Sequence, residues 1–444
     1  MNKEFHKKQN FFSFSDIDSE RKDRIMKFTS TEATPAPHVP PGVLRLTGAA
    51  KEDIPMYRIQ TMNKISPVGL NRFPSELYEV GDAVQDPQGI LVRSAKLLDL
   101  EFNPGLLAIA RAGVGVNNIP LDRCAAAGIP VFSTPGANAN AVKELVICAM
   151  LMGSRDIPGA IRWVREQAAS GADVFTVVEK GKSAFIGPEL YKKTLGIIGL
   201  GAIGSIVANT AISLGMDVYG YDPFLSVDTA LRLDRHVHVV KDINDLYKRS
   251  NYITMHIHYT EKTAHMIDAS AIAAMKRGVR VINLARGEIV DDEAMLTALD
   301  TGMVAAYITD FPNNRLLTAP HVIAMPHLGA STPESEQNCA AMAVDTLRDY
   351  LESGNIRSSV NLPEMTMDRS GVQRLCVLHK NVPGMLANIT SLFGRDGVNV
   401  ENLSNKSRGD YAYTMVDLGS KVGDNVIEDV RRTANVIRVR SLEW

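Results

Sequence analysis

The order of apolar and polar positions divides the chain into stretches of different character. Between about residues 55 and 150, short apolar runs such as GILVRSA (89–95) and LLAIARAG (106–113) alternate with helical spacing. That pattern predicts an α/β domain with buried parallel strands. A second, better-defined α/β pattern follows over 195–326. Residues 333–351 read as one long helix, and 354–368 as a polar connector with little periodicity. From 374 the order becomes strand, helix, strand, strand, helix, strand: RLCVLHK, a helix over 383–397, VNVENLS, YAYTMVDLG, a helix around 425–433, and VIRVRSLEW. Leu386, Ile389, Leu392 and Phe393 recur at helical spacing, so one helix face needs a covering sheet, as in a ferredoxin-like fold. Residues 31–41 (TEATPAPHVPP) have no periodicity and read as an extended linker behind a mobile N-terminal tail.

Composition narrows the function classes. The 444 residues fit two to four domains, and 48 Lys+Arg against 50 Asp+Glu leave a net charge of −2. A surface built for nucleic acid is therefore not expected, and an anionic ligand has to be held by a few local cations. Cys124, Cys148, Cys339 and Cys376 are scattered, with no C-x-x-C, which predicts reduced thiols in a cytoplasmic protein. No apolar run approaches the roughly 18 residues of a membrane span, no signal peptide is visible, and no metal site is expected.

The first candidate chemistry is a nucleotide site. The apolar strand TLGIIGL (194–200) runs into Gly199-Leu200-Gly201-Ala202-Ile203-Gly204 and a helix through about Leu214. This is G-x-G-x-x-G between strand and helix: Gly199 for the tight turn, Gly201 for close approach of a pyrophosphate, Gly204 for helix-to-strand packing. A second strand, DVYGYD, ends in Asp222 about 20 residues further on, where an acid can bind a ribose 2′-hydroxyl. Pro223 follows it, with no arginine beside it for a 2′-phosphate, which favours NAD over NADP.

The second is a pair of strand-end groups. The run RVINLA (280–285) ends at Arg286, and MPHLGAS places His327 some 40 residues later. Strand ends of an open α/β sheet face the ligand crevice, so the two can converge on one substrate. Taken singly, Arg286 also fits a surface ion pair and His327 a hydrogen-bonded loop residue.

At this point the chain resembles the D-isomer-specific 2-hydroxyacid dehydrogenases, within them the branch acting on 3-phosphoglycerate. The resemblance covers roughly residues 85–444. It rests on ARAGVGVNN (110–118), STPGANANAVKEL (133–145), GLGAIG, MKRGVRVINLARGEIVDD (275–292) and MPHLGAST (325–332). It implies hydride transfer between a 2-hydroxy acid and NAD. Arg286 would hold the carboxylate and polarise the C2 oxygen, and His327 would be the general acid/base, since imidazole exchanges a proton near neutrality. Asp310 in AAYITDF would contribute to the nicotinamide site together with Leu284, Ala285, Leu328, Gly329 and Ala330. Gly113, Val114 and Gly115 would meet the substrate carboxylate from the other domain. Arg93 and Arg111 match basic positions for a phosphorylated substrate; Lys180 and Lys182 are weaker matches. One departure stands out. The family's glutamate five residues after the aspartate is Arg315 here, and a cation beside His327 would lower the imidazole pKa.

The last segment resembles an ACT regulatory domain, in which His379, Asn381 and Asn399 would bind L-serine between two copies of the chain. The resulting expectation is a Rossmann-type NAD domain (151–332) and a flavodoxin-like substrate domain (55–150, with a return helix 333–352). A linker (353–371) and a ferredoxin-like βαββαβ domain (372–444) follow, and residues 1–54 form an extension. The expected activity is oxidation of 3-phosphoglycerate to 3-phosphohydroxypyruvate by a homo-oligomer, dimer or tetramer, inhibited by L-serine. The alternatives are a glyoxylate or hydroxypyruvate reductase, or a non-catalytic NAD-sensing protein.

Overall fold

A computed structural model describes residues 56–444. The tail and linker expected within 1–54 lie outside the described residues. Three sheets organise the rest. The first is all parallel, in the order β2-β1-β3-β4-β5, from β1 (Tyr57–Met62), β2 (Tyr78–Gly81), β3 (Gly89–Val92), β4 (Ala108–Arg111) and β5 (Val131–Phe132). Its GILV and AIAR strands are buried on both faces, as continuous apolar runs require in a covered parallel sheet.

The second sheet contains β6 (Thr194–Ile198), β7 (Asp217–Tyr221), β8 (Val237–Val240), β9 (Tyr252–Met255), β10 (Val279–Asn283), β11 (Val304–Thr309) and β12 (Val322–Ala324). All seven are parallel, in the order β12-β11-β10-β9-β6-β7-β8. The chain starts at β6, winds outward to β8, and returns to β9 on the other side. This doubly wound switch point opens a crevice at the strand C-termini.

The helix α1 (Ala139–Arg155) spans the expected domain boundary at 150/151. Its buried face, with Val142, Val146, Ala149 and Met150, belongs to the core that includes Leu195, Ile197 and Ile308 of the second sheet. The crossover therefore lies at 133–138, ahead of the helix. Amphipathic spacing shows that a helix has a buried face and not which sheet covers it.

The third sheet is antiparallel, in the order β14-β15-β13-β16, from β13 (Gln373–Lys380), β14 (Val400–Arg408), β15 (Tyr411–Leu418) and β16 (Val436–Glu443). Two helices, Met385–Arg395 and Asp424–Arg432, complete the expected βαββαβ unit and cover one face through Met385, Ile389, Phe393, Val426 and Val430. The other face is not free. Cys376, Leu378, Tyr413, Met415 and Leu442 share one core with the first sheet and the long helix Pro333–Ser353.

The connector at 353–371 departs from expectation. Ile356, Leu362, Met365 and Met367 are buried in that shared core, Ser133 N–H donates to Ser358 O, and the Asn361 side chain bonds Val131 N–H and Ile129 O. A segment with scattered apolar residues reads as polar connector because each apolar side chain fills its own gap without a period. Among the described residues no helix is long and apolar enough to cross a membrane.

Candidate active site

Every motif residue singled out in the two α/β sheets sits at or beyond the C-terminal end of a parallel strand, or on a helix that such a strand feeds. The apolar run of β6 ends at Gly199, whose φ of 89° is left-handed and whose hydrogen, if replaced by a methyl, would meet His256 O at 2.6 Å. At Gly204 an added methyl would lie 1.9 Å from Gly199 O, so α2 (Ala202–Ser213) packs directly on the turn. Gly201 differs: nothing lies within 4 Å of an added methyl, which leaves an open cradle before free helix N–H groups. Ala202 and Ile203 form the first helical turn.

Asp222, just past β7, closes this loop. Its Oδ2 accepts from Leu200 N–H at 2.9 Å and its Oδ1 from Phe224 N–H at 2.9 Å, which fixes the carboxylate over the cradle's edge. His256, after β9, forms the opposite wall. Burial pushes its pKa down to about 4, so it adds no cation at neutral pH.

Asp310, after β11, is 1% exposed, and neither carboxylate oxygen has a hydrogen-bond partner among the described residues. Burial raises its pKa, opposed first by the charge of His327, then by the backbone N–H groups of Gly329 and Asp310, then by the charge of Arg286. A buried carboxylate with no full hydrogen bond has capacity for an external donor. A carboxamide N–H supplies one, so the site's residues fit NAD at both ends, cradle and amide. Leu284 and Ala285 line the end of β10, Gly329 is buried against Val142, and Leu328 stays exposed at the mouth.

The catalytic candidates meet around a residue that sequence reasoning passed over. The Phe311 ring lies 4.7 Å from the His327 imidazole and 5.7 Å from the Arg286 guanidinium. Arg286 Nη1 donates to Ala285 O at 2.7 Å, and Asn283 Nδ2 holds Arg286 O at 2.8 Å.

Across the cleft, Gly115 faces two guanidinium groups: an added methyl would lie 3.4 Å from Arg286 Nη2 and 3.6 Å from Arg111 Nη1. Arg111 is half-buried. Burial, together with the like charges of Arg286 and Arg93, holds its pKa below the ordinary value. Arg111 Nε donates to Arg93 O at 2.9 Å. Arg93 itself pairs with Glu336 at 2.5 Å. Among the described residues, ion pairs engage Arg93 but neither Arg111 nor Arg286. Such uncompensated cations are a receptor for an anion. The loop 113–115 is fixed by Thr134 N–H donating to Gly113 O, and that of Arg93 by Asn63 Oδ1, which accepts from Ser94 and Ala95 N–H. Asn63, with a φ of 75°, directly follows β1; an asparagine at a strand end, a residue that tolerates the left-handed turn, is the signal that could have marked it.

Arg315 is not the neighbour that its position in sequence led one to expect. It pairs with Glu293 on the helix Asp292–Asp300, and both side chains are largely exposed. Its charge is answered there. Lys182 pairs with Glu179 at 2.5 Å on the exposed segment after α1.

In the C-terminal domain, His379 and Asn381 line a pocket of about 220 Å³ with Gly384, Met385 and Asn405. His379 is buried, with Nδ1 on Lys380 O and Nε2 on Thr414 Oγ1, each at 2.8 Å. Thr414 donates onward to Asn405 Oδ1 at 2.8 Å. Asn399 is not among the pocket's lining residues; its amide bonds Glu401.

Comparison with known proteins follows the same lines. Residues 147–329 match the family model described as the D-isomer specific 2-hydroxyacid dehydrogenase NAD binding domain. The chain is 36% identical over 326 residues to a D-3-phosphoglycerate dehydrogenase of Synechocystis sp., covering 71% of this chain and 56% of that one. It thus spans little more than half the length of this relative. The D-3-phosphoglycerate dehydrogenases of Haemophilus influenzae and Escherichia coli K12 are 31% and 32% identical, and the match covers 88% and 82% of their lengths and 82% and 76% of this chain. Among solved structures, the NAD+-bound 3-phosphoglycerate dehydrogenase of Entamoeba histolytica aligns with a TM-score of 0.54 at 26% identity, covering 69% of this chain and 99% of that one. D-mandelate dehydrogenase of Rhodotorula graminis shares the fold, with a TM-score of 0.60 at 21% identity over 71% of this chain and all of that one.

Proposed function

Because the chain belongs to the D-isomer-specific 2-hydroxyacid dehydrogenases, we propose that it oxidises 3-phosphoglycerate to 3-phosphohydroxypyruvate with NAD, the first step of phosphorylated serine synthesis. The observation that carries the choice of substrate is the cation cluster: Arg286 and Arg111 converge on Gly115, and Arg93, itself paired with Glu336, holds Arg111 through its carbonyl. A 2-hydroxy acid needs one cation for its carboxylate. A phosphate, with close to two more charges, needs the others.

NAD, when bound, supplies the hydride acceptor for C2. The chain's residues supply the rest. His327 takes the C2 hydroxyl proton as the hydride leaves, and Arg286 holds the carboxylate and stabilises charge on the C2 oxygen. Phe311 packs against both and fixes their separation. Leu200 to Gly204 and Asp222 would hold pyrophosphate and ribose.

The selectivity test runs in the reducing direction, with NADH and three 2-oxo acids. The expected order has phosphohydroxypyruvate ahead of hydroxypyruvate and glyoxylate by about 100-fold or more in kcat/KM, the size of an effect built on buried charge recognition. Equal rates with all three would make the protein a glyoxylate or hydroxypyruvate reductase instead.

The effector reading, L-serine at His379 and Asn381, is supported by the size and polarity of the pocket around them. A homo-oligomer is supported by two features. The edge strand β14 is paired on one side only and largely exposed, and Asn399 stands just ahead of it, outside the pocket, where a second copy can bring it to the effector.

A further inference from the structure

The long helix that returns from the second sheet to the first, Pro333–Ser353, has different partners at its two ends. Its 21 residues span about 30 Å at 1.5 Å per residue. At the N-terminus, Thr332 caps Ser335 N–H at 3.1 Å, and Glu336 in the first turn pairs with Arg93. Arg93 O in turn receives Arg111 Nε. This end therefore holds the Arg93 side chain, while Arg93 O holds Arg111, the second of the site's three cations. At the C-terminus, beside the Gly354 N–H on Tyr350 O and the Tyr57 hydroxyl on Leu351 O, the last carbonyls take donors from the C-terminal domain. Arg440 on β16 donates to Tyr350 O at 3.1 Å and Leu351 O at 2.9 Å, and Arg374 on β13 donates to Ser353 O at 2.8 Å. Two cations on the negative end of a helix dipole form a strong, oriented grip.

Between its ends the helix is stiff. Ala340, Ala343, Val344 and Leu347 are buried in the core shared with the C-terminal sheet, and interiors packed this densely shift as units. The strand carrying Arg374 also carries His379, and Arg440 lies opposite Cys376 of that strand. Displacement of β13 at the effector pocket has no slack to absorb it before it reaches the helix.

We propose that this helix is a lever joining the C-terminal domain to the substrate's anion site, with Arg440 a positioning residue at one end and Glu336 at the other. Movement of β13 slides the helix, changes how Glu336 holds Arg93, and so changes the cation arrangement open to the substrate. As a mode of inhibition, the lever rests on the L-serine reading of the pocket; the mechanical link itself does not.

The test uses the full chain and two readouts: L-serine affinity by calorimetric titration, and initial rates with 3-phosphoglycerate. Glu336→Gln lies far along the chain from the pocket. It is expected to keep L-serine affinity within about two-fold of wild type while raising the half-inhibiting concentration about five-fold or more, the lower bound of a typical coupling. An unchanged half-inhibiting concentration overturns the lever. If wild type neither binds L-serine nor responds to it, the effector reading falls and the Michaelis constants decide the lever. Arg440→Met should then raise KM for 3-phosphoglycerate about five-fold with kcat within about two-fold, and Arg440→Lys should restore it. An unchanged KM in Arg440→Met overturns the proposal. If Arg440→Met does not fold, Arg440→Gln takes its place, and an unchanged KM there likewise overturns the proposal.

Discussion

Replacing His327 with asparagine is expected to lower kcat for 3-phosphoglycerate oxidation by about 10²- to 10⁴-fold, the range contributed by a positioned acid/base, while NAD affinity changes by less than about three-fold. The reason is positional. His327 follows β12 and stands exposed in the cleft against Phe311, whereas the cradle, Asp222 and Asp310 lie at the ends of β6, β7 and β11. Loss of the imidazole removes the proton acceptor and leaves those contacts intact. Titration of NAD by quenching of protein fluorescence, beside steady-state rates, separates the two effects. Equal losses in both would remove the acid/base role from His327. The matching substitution at Arg315 should leave turnover nearly unchanged, because that guanidinium is engaged with Glu293 at the surface.

The largest expected effect on stability comes from Arg374. Both it and Asp417 are fully buried, joined by bonds of 2.6 and 2.8 Å, and Arg374 also donates to Ser353 O, Met367 O and Asp368 O. Removing one partner strands a charge with no solvent to receive it. Arg374→Met should therefore lower the unfolding free energy by about 3–5 kcal/mol. The double substitution Arg374→Met with Asp417→Leu should recover most of it, since no charge is then left unpaired. Urea unfolding of the three variants measures this; a loss below about 1 kcal/mol for the single variant would show that the pair is solvated. The exposed pair Lys421–Glu443 provides the contrast, at no more than about 1 kcal/mol.

The parts legible in sequence are those with a period or a fixed spacing. Alternation and apolar runs mark the strands of all three sheets, and the glycines after β6 with Asp222 after β7 mark the nucleotide crevice, because each element carries its own local signal. β13 was read only as a strand, and the structure adds that both of its faces are buried. What remained hidden depends on which surfaces meet. Ile356, Leu362 and Met365 fill gaps that exist only once the C-terminal sheet docks. Phe311 looks like any residue after a strand until His327 and Arg286 arrive from elsewhere in the chain. Arg315 stands where a carboxylate was expected, yet its pairing with Glu293 is set by the helix Asp292–Asp300 and not by its place in the motif. Asn405 joins His379 only through Thr414, a link across three strands that no sequence spacing encodes.

The most direct measurement is the production of NADH by the full chain from 3-phosphoglycerate and NAD. An NAD-dependent hydride transfer from this substrate predicts one NADH formed for each 3-phosphoglycerate consumed, with the rate abolished in Arg286→Ala. No NADH from 3-phosphoglycerate, under conditions in which an unphosphorylated 2-hydroxy acid is oxidised, would contradict the assignment of Arg93 and Arg111 to a phosphate.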